Sequence, residues 1–345
     1  MDSENQERGG RPRPWAARKI PGGATVLLYS FAKINLSLDV QGDAGDGYHR
    51  VDMVMQQLAF HDDVEVTFLS SADPGFRIEL TSNRSYLPSD SRNLAWKAAD
   101  LMVSRHGGAL TAVRAGGVFP DGVSGGTVRI HIQKRIPVAA GLAGGSGNGA
   151  AVLHGLNVLW GLDLSLQEIM DLSAELGSDV PFCAAGQAAA GYALPKKIRK
   201  AAEAASCARA TGRGTELAPC RGLRSPVVFA KPRLSVSTKE VYQGIDSCPI
   251  PERPDNDRLV SGLQQGLPLD TVSRDFINVL ENYTLTRYRK TADLKRMMQD
   301  LGPVKTLMSG SGPTVFSVFR DMKSARVACA RLRERGYEAY WTKCV

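Results

Sequence analysis

Five glycines crowd the stretch Ile136 to Ala151, IPVAAGLAGGSGNGAA: Gly141, Gly144, Gly145, Gly147 and Gly149. Glycine admits positive φ and lets a ligand approach the main chain with no Cβ in the way. A glycine loop that opens a helix aims unpaired N–H groups and a positive dipole end at its ligand, which favours phosphate. Ser146 and Asn148 stand where side chains could join that cradle. The same cluster also reads as a flexible surface turn. Two other residues bear on chemistry. Lys33 shares a face with Asn35 on an alternating stretch whose opposite face carries Ala32, Ile34, Leu36 and Leu38, although a strand with a solvated polar side has the same pattern. Asp179 lies in Ser178-Asp179-Val180-Pro181, a bend stiffened by Pro181, which biases Val180 towards extended geometry. An aspartate bonding its own backbone in a turn would look alike. Together these are the parts of a phosphoryl-transfer site, where positioning and electrostatics dominate and a carboxylate takes the proton of the attacking hydroxyl. A nearby lysine can steady that carboxylate and the developing alkoxide.

The elements that must hold these groups follow from the pattern. Val26 to Val40 predicts a strand, residues 51 to 69 predict two strands joined at His61-Asp62-Asp63, and 76 to 81 another. Gly42 to His49, GDAGDGYH, is a turn that ends in an aromatic and an imidazole. Ser89 to Gly108 supplies caps, a helix with Asn93 in its first turn and a glycine stop. A strand from Gly126 to Ile136 feeds the glycine loop, and Val152, Leu156 and Leu159 recur at helical spacing beyond it. Ser165 with Glu168 and Ser237 with Glu240 fit capping boxes, the second placing Thr238 and Tyr242 on early helical turns. Phe182 to Leu194 is expected to hold a strand or two. Helices are expected at 272 to 281 and 285 to 300. The chain then reads strand, second glycine loop (Ser309 to Pro313), strand, helix near 322 to 335, strand. Two glycine loops could converge on one ligand.

Composition narrows the classes. The chain has 345 residues, 43% hydrophobic and 23% charged, enough for about two domains. No apolar run reaches the length of a membrane span, and the N-terminus has no apolar segment of the secretory kind. Six scattered cysteines without a CxxC or zinc spacing point to reduced thiols and a cytoplasmic setting. The net charge of +8 is local: residues 1 to 23 hold five bases and three acids, and 195 to 224 hold eight bases and two acids. The remaining body is neutral, so a basic nucleic-acid face across the fold is not expected. P-loop, dinucleotide, HExxH, GxSxG and protein-kinase signatures are absent.

The segments FAKINLSLDV-QGDAGDGYHRVDMVM, IPVAAGLAGGSGNGAA, LGSDVPFCAAGQAA and MSGSGPTVF resemble, in order and spacing, the galactokinase, homoserine kinase, mevalonate kinase and phosphomevalonate kinase (GHMP) family. The likeness runs from about residue 30 to 343. It implies an α+β fold with an N-terminal domain of the kind also found in ribosomal and translation proteins and a C-terminal ferredoxin-like α/β domain. The boundaries are then a disordered tail at 1–23, the ATP-binding domain at 24–194, a basic linker or insertion at 195–225 and the C-terminal domain at 226–345. The AKINLSL and DGYH segments resemble, more narrowly, members acting on a cytidine diphosphate-linked methylerythritol in non-mevalonate isoprenoid synthesis. That resemblance implies Asp179 as the base towards the substrate 2-hydroxyl, Lys33 as its electrostatic partner and Asn35 as a substrate contact. It implies ATP held by Asn93, Pro137, Ala140, Gly141, Leu142, Ala143, Gly144, Gly145, Ser146, Gly147 and Asn148, with Mg²⁺ and Ser146 as its candidate ligand. Tyr48 and His49 match a cytosine-binding pair, and Thr238 and Tyr242 fall where a hydroxyl and a second aromatic wall are expected. The partner implied is a small molecule, for a monomer or homodimer. The family loop usually reads GLGGGSSNAA, whereas here Ala143, Gly147 and Gly149 replace Gly, Ser and Ala, and Met55 stands where many relatives carry an aromatic. Two other readings remain: a GHMP kinase for mevalonate, homoserine or a sugar, and an RNA-binding module using the basic insertion.

Overall fold

The computed structural model describes residues 17–43, 45, 49–107, 125–191 and 193–345. Two very long strands dominate it, β2 (Gly23–Asp43) and β3 (His49–Ser71), paired antiparallel along most of their length. Around them lie β1 (Arg18–Ile20), β4 (Gly75–Ser82), β5 (Gly125–Gln133), β6 (Cys207–Thr211) and β7 (Glu216–Pro219). The sheet runs β1-β2-β3-β5-β4, with only β4 and β5 parallel, and β6 and β7 join it beside Met53 to Gln56 of β3. A second, antiparallel sheet is ordered β11-β8-β10-β9, from β8 (Pro226–Lys231), β9 (Lys305–Met308), β10 (Val315–Val318) and β11 (Glu338–Lys343).

The first sheet packs one face on α1 (Leu94–His106), α2 (Gly144–Trp160), α3 (Leu166–Ala174) and α4 (Val180–Ala190). After them come α5 (Lys196–Arg199), α6 (Thr238–Ile245), α7 (Asn256–Gln265), α8 (Leu269–Val272), α9 (Glu281–Arg287), α10 (Arg289–Gln299) and α11 (Met322–Glu334). The second sheet buries Val228, Ala230, Val315 and Phe319 against α10 and α11. Its other face meets Ala32, Ile34 and Leu36 of β2 through Val227, Phe229, Phe316 and Val318. The α+β expectation is therefore met, with β2 serving both halves.

Several expectations are corrected. Residues 18 to 20 are not a tail: they form a hairpin with Gly23 to Thr25, turned at Gly22 with φ of 74°; residues 1–16 lie outside the described residues. His61-Asp62-Asp63 is no junction, because the Asp62 carboxylate points inward to buried donors and β3 continues through it. Phe182 to Leu194 begins as helix rather than strand, since Pro181 falls in the first turn of α4, where a missing N–H costs nothing. The helix expected at 272–281 is absent, since α8 ends at Val272 and α9 begins at Glu281, whereas the helix expected at 285–300 is met by α10. In the basic segment 195–225, β6 and β7 complete the first sheet, and Arg209 pairs with Asp52 and Asp257. Ser165 and Glu168 form the full capping box. Ser237 caps α6, while the Glu240 carboxylate accepts from the Tyr283 and Tyr288 hydroxyls instead of returning to the cap.

Phe182 of α4 is fully buried in one core cluster with Leu38, Met53, Met55, Val241 and Met308, so it belongs to a core shared with β2, β3, α6 and β9. Phe182→Ala is expected to cost about 3 to 5 kcal/mol of stability. Urea denaturation measures this, and a change below about 1 kcal/mol would mean that the ring is not a shared contact.

Candidate active site

Strand β2 shifts register against β3 between Phe31 and Lys33 and again between Asn35 and Ser37, and such irregularities re-aim side chains. Lys33 is 4% exposed, and Asn35 and Ser37 are fully buried. The solvated-face reading therefore fails, and a buried ammonium must find partners. Lys33 Nζ donates to Asn35 Oδ1 at 2.9 Å and lies 3.4 Å from Asp179 Oδ2. Asp179 is the residue from which α4 starts, yet its side chain makes no capping bond. Instead of bonding its own backbone, the carboxylate faces the lysine and stays about one-third exposed. Asn35 Nδ2 contacts Met53 Sδ at 3.1 Å.

The first glycine loop is bonded to the same strand, as the Lys33 N–H donates to Leu142 O at 3.0 Å. Ala139, Gly141 and Ala143 take φ of 50°, 72° and 53°, a left-handed geometry that alanine adopts only when its surroundings impose it. Pro137 precedes this bend half-buried, and Ala140 and Leu142 fix it in the core. Ala143 gives α2 no side-chain cap, so the first N–H groups of the helix remain for a ligand. Gly145 is exposed, and a Cβ there would meet only Leu94 Cδ1 at 3.8 Å, an ordinary contact, beside half-buried Ser146. A Cβ at Gly144 would come within 2.6 Å of Lys134 Nζ, and one at Gly149 within 3.3 Å of Leu94 O.

Asn148 departs from expectation. Its side chain points beneath the loop, not into it, donating to Ser30 Oγ and to Asp62 Oδ2 at 3.0 Å each. Asn93 caps α1, accepting from Ala95 N and donating to Pro88 O. A Cβ at Gly147 would lie 2.4 Å from Ser30 Oγ, so a larger residue there needs that hydroxyl to move. The space that a larger residue would need is filled by a hydroxyl from β2.

The second glycine loop closes on the first. Ser309 Oγ donates to Gly141 O at 2.9 Å, and a Cβ on Gly141 would stand 2.2 Å from Ser309 O. Asn278 Nδ2 donates to Met308 O and Gly310 O, at 2.9 and 2.8 Å. Thr238 and Ser311 hydroxyls lie 2.9 Å apart. At the other end, the His49 and Tyr242 rings pack 5.5 Å apart, and His49 Nε2 contacts both Asp246 oxygens, at 2.9 and 3.0 Å. Burial, reinforced by the Asp179 charge, raises the Tyr242 hydroxyl above its usual pKa. Tyr48 lies outside the described residues. Met55 is fully buried core.

The residues missed from sequence are Asp62, Lys134, Ser30, Asn278 and Asp246. A signal existed for two. Asp62 is in phase with the buried Val64, Val66 and Phe68, and Lys134 with Val128, Ile130 and Ile132, so alternation alone points both inward. Gly147→Ser is expected to cost about 1 to 3 kcal/mol through overpacking, much of it recovered by adding Ser30→Ala. Thermal denaturation of the single and double variants decides; an undisturbed single variant contradicts the steric account.

The description "GHMP kinases N terminal domain" matches residues 93–187, and "GHMP kinases C terminal" matches residues 261–338. The 4-diphosphocytidyl-2-C-methyl-D-erythritol kinase of Alkaliphilus metalliredigens is 39% identical over 308 residues, covering 89% of this chain and 92% of that protein. That of Clostridioides difficile is 37% identical over 315 residues, covering 91% and 94%. A crystal structure of 4-(cytidine 5'-diphospho)-2C-methyl-D-erythritol kinase superposes with a TM-score of 0.67 at 26% identity, covering 92% of this chain and 99% of that one. The chain belongs to the 4-diphosphocytidyl-2-C-methyl-D-erythritol kinase family of GHMP kinases.

Proposed function

We propose that this chain transfers the γ-phosphoryl group of ATP to the 2-hydroxyl of 4-diphosphocytidyl-2-C-methyl-D-erythritol, a step of the non-mevalonate isoprenoid route. The observation that carries the reading is the Lys33 and Asp179 pair, 3.4 Å apart, beside two glycine loops bonded to each other. Asp179 orients the substrate hydroxyl and receives its proton. Lys33, held by Asn35, offers positive charge to the oxygen as it attacks.

The cradle fits a nucleotide. The start of α2 is uncapped and exposed at Gly145, so backbone N–H groups of Gly144, Gly145 and Ser146 would meet the phosphates. Asn93, at the start of α1 beside this loop, would serve the adenine through backbone or a re-formed cap. Among the described residues no cluster of three or more His, Cys, Asp or Glu could hold a metal ion. Magnesium would come with the nucleotide, with Ser146 as the hydroxyl that would join its ligands. A magnesium ion bound there would supply positive charge against the charge building on the phosphates.

His49, steadied by Asp246, and Tyr242 would hold the cytosine, with Tyr48 the other member of the matched pair and Thr238 at the substrate side. Six free thiols fit a reducing cytoplasm, and no helix among the described residues is long and apolar enough to cross a membrane.

The test is ADP release with the cytidyl substrate against mevalonate and homoserine. Only the first should be turned over, giving a ³¹P phosphomonoester signal without coupling to a carbinol proton, because C2 carries a methyl and no hydrogen. Turnover of mevalonate or homoserine at the same rate contradicts the reading. Tyr242→Ala is expected to raise the KM for the cytidyl substrate roughly tenfold, since stacking contributes about 1 to 3 kcal/mol per base. The KM for ATP should stay unchanged in steady-state kinetics.

A further inference from the structure

Asp62 is a fully buried carboxylate that the proposed reaction does not use. Its Oδ1 accepts from the backbone N–H of Arg135 at 2.7 Å and of Ile136 at 2.8 Å, the two residues that lead into the first glycine loop. Its Oδ2 accepts from Asn148 Nδ2 at 3.0 Å, on the first turns of α2 where the loop ends, and from Lys134 Nζ. One side chain therefore grips both ends of the loop. Lys134, 4% exposed, also reaches Asn148 Oδ1 at 3.3 Å, and its ammonium sits directly beneath Gly144. Burial pushes the Lys134 ammonium towards losing its proton, and the Asp62 charge opposes this.

Backbone N–H groups bind phosphate well only when their spacing is held before the ligand arrives, because preorganisation removes the cost of ordering them. Nothing within the glycines themselves can hold that spacing. We propose that Asp62 is a positioning residue for the nucleotide: its carboxylate sets the distance between the entry and the exit of the phosphate loop, and the Lys134 side chain holds that carboxylate in place. The proposal rests on reading this loop as the ATP phosphate site. Asp62 lies on β3 and, among the described residues, its carboxylate bonds only Lys134, Asn148 and the Arg135 and Ile136 N–H groups, so it acts on nucleotide affinity rather than on proton transfer.

Asp62→Asn places an amide N–H against donors that now point at an oxygen, loosening one end of the loop. The experiment measures ADP binding by calorimetry, KM for ATP, KM for the alcohol substrate and the melting temperature. ADP dissociation constant and ATP KM should rise about tenfold or more, with alcohol KM within about twofold of the parent. Asp62→Asn combined with Lys134→Met removes both charges and leaves no unpaired ion, so it should regain melting temperature while keeping the weakened ADP binding. That double variant carries the test if the single variant does not fold. ADP affinity that returns together with melting temperature, or that never changes, overturns the proposal and leaves Asp62 a packing residue. Failure of the parent chain to bind ADP overturns the phosphate-site reading itself.

Discussion

A buried ammonium on β2 constrains much of this molecule. Removing a charge from water costs several kcal/mol unless partners meet it in good geometry. Lys33 is nearly inaccessible, and it meets Asn35 two residues along its own strand and Asp179 from another element. For Asp179 to arrive, α4 must start at that point. Pro181 in its first turn and the Phe182 ring beneath hold that start. The carboxylate is left uncapped and partly open to solvent, the state a proton acceptor for an incoming alcohol requires.

The same strand organises everything else around the centre. Its Ala32, Ile34 and Leu36 pack on the second sheet, while Ala24, Val26 and Leu28 pack under α2. Leu38 exchanges backbone bonds with Ile277 and Val279, which brings Asn278 to the second glycine loop. Burial on both sides also explains how Ser30 came to fill the space at Gly147. A hydroxyl missing from the loop is matched by one on the strand beneath it, tied to Asn148. The basic segment reads differently in this light. Arg209 turns inward to Asp52 and Asp257, so part of that charge holds β6 against β3.

The glycine loop that opens a helix and the second glycine loop are legible because glycine clusters and periodicity are local signals, whereas the fold class follows from the resemblance of the motifs in order and spacing, and the sequence allows the two loops to converge without showing that they do. Lys33 and Asp179 were legible as chemistry but not as buried chemistry, since the register shifts of β2 leave no mark in composition. The strand expected in 182–194 failed because small residues suit a tightly packed helix as well as a strand, and Pro181, expected to stiffen a bend, sits in the first turn of α4. Asn148 was placed in the cradle by its position in the motif. Its amide turns away because Asp62 and Ser30 offer it buried partners, a fact carried by residues 86 and 118 positions distant in the chain.

If the Lys33 and Asp179 pair is the chemical centre, the decisive measurement is turnover by Asp179→Asn alongside its ADP affinity. The account predicts a kcat lower by about 10²-fold or more, the scale for losing a positioned base, with ADP binding at the parental level. Near-parental turnover would contradict it.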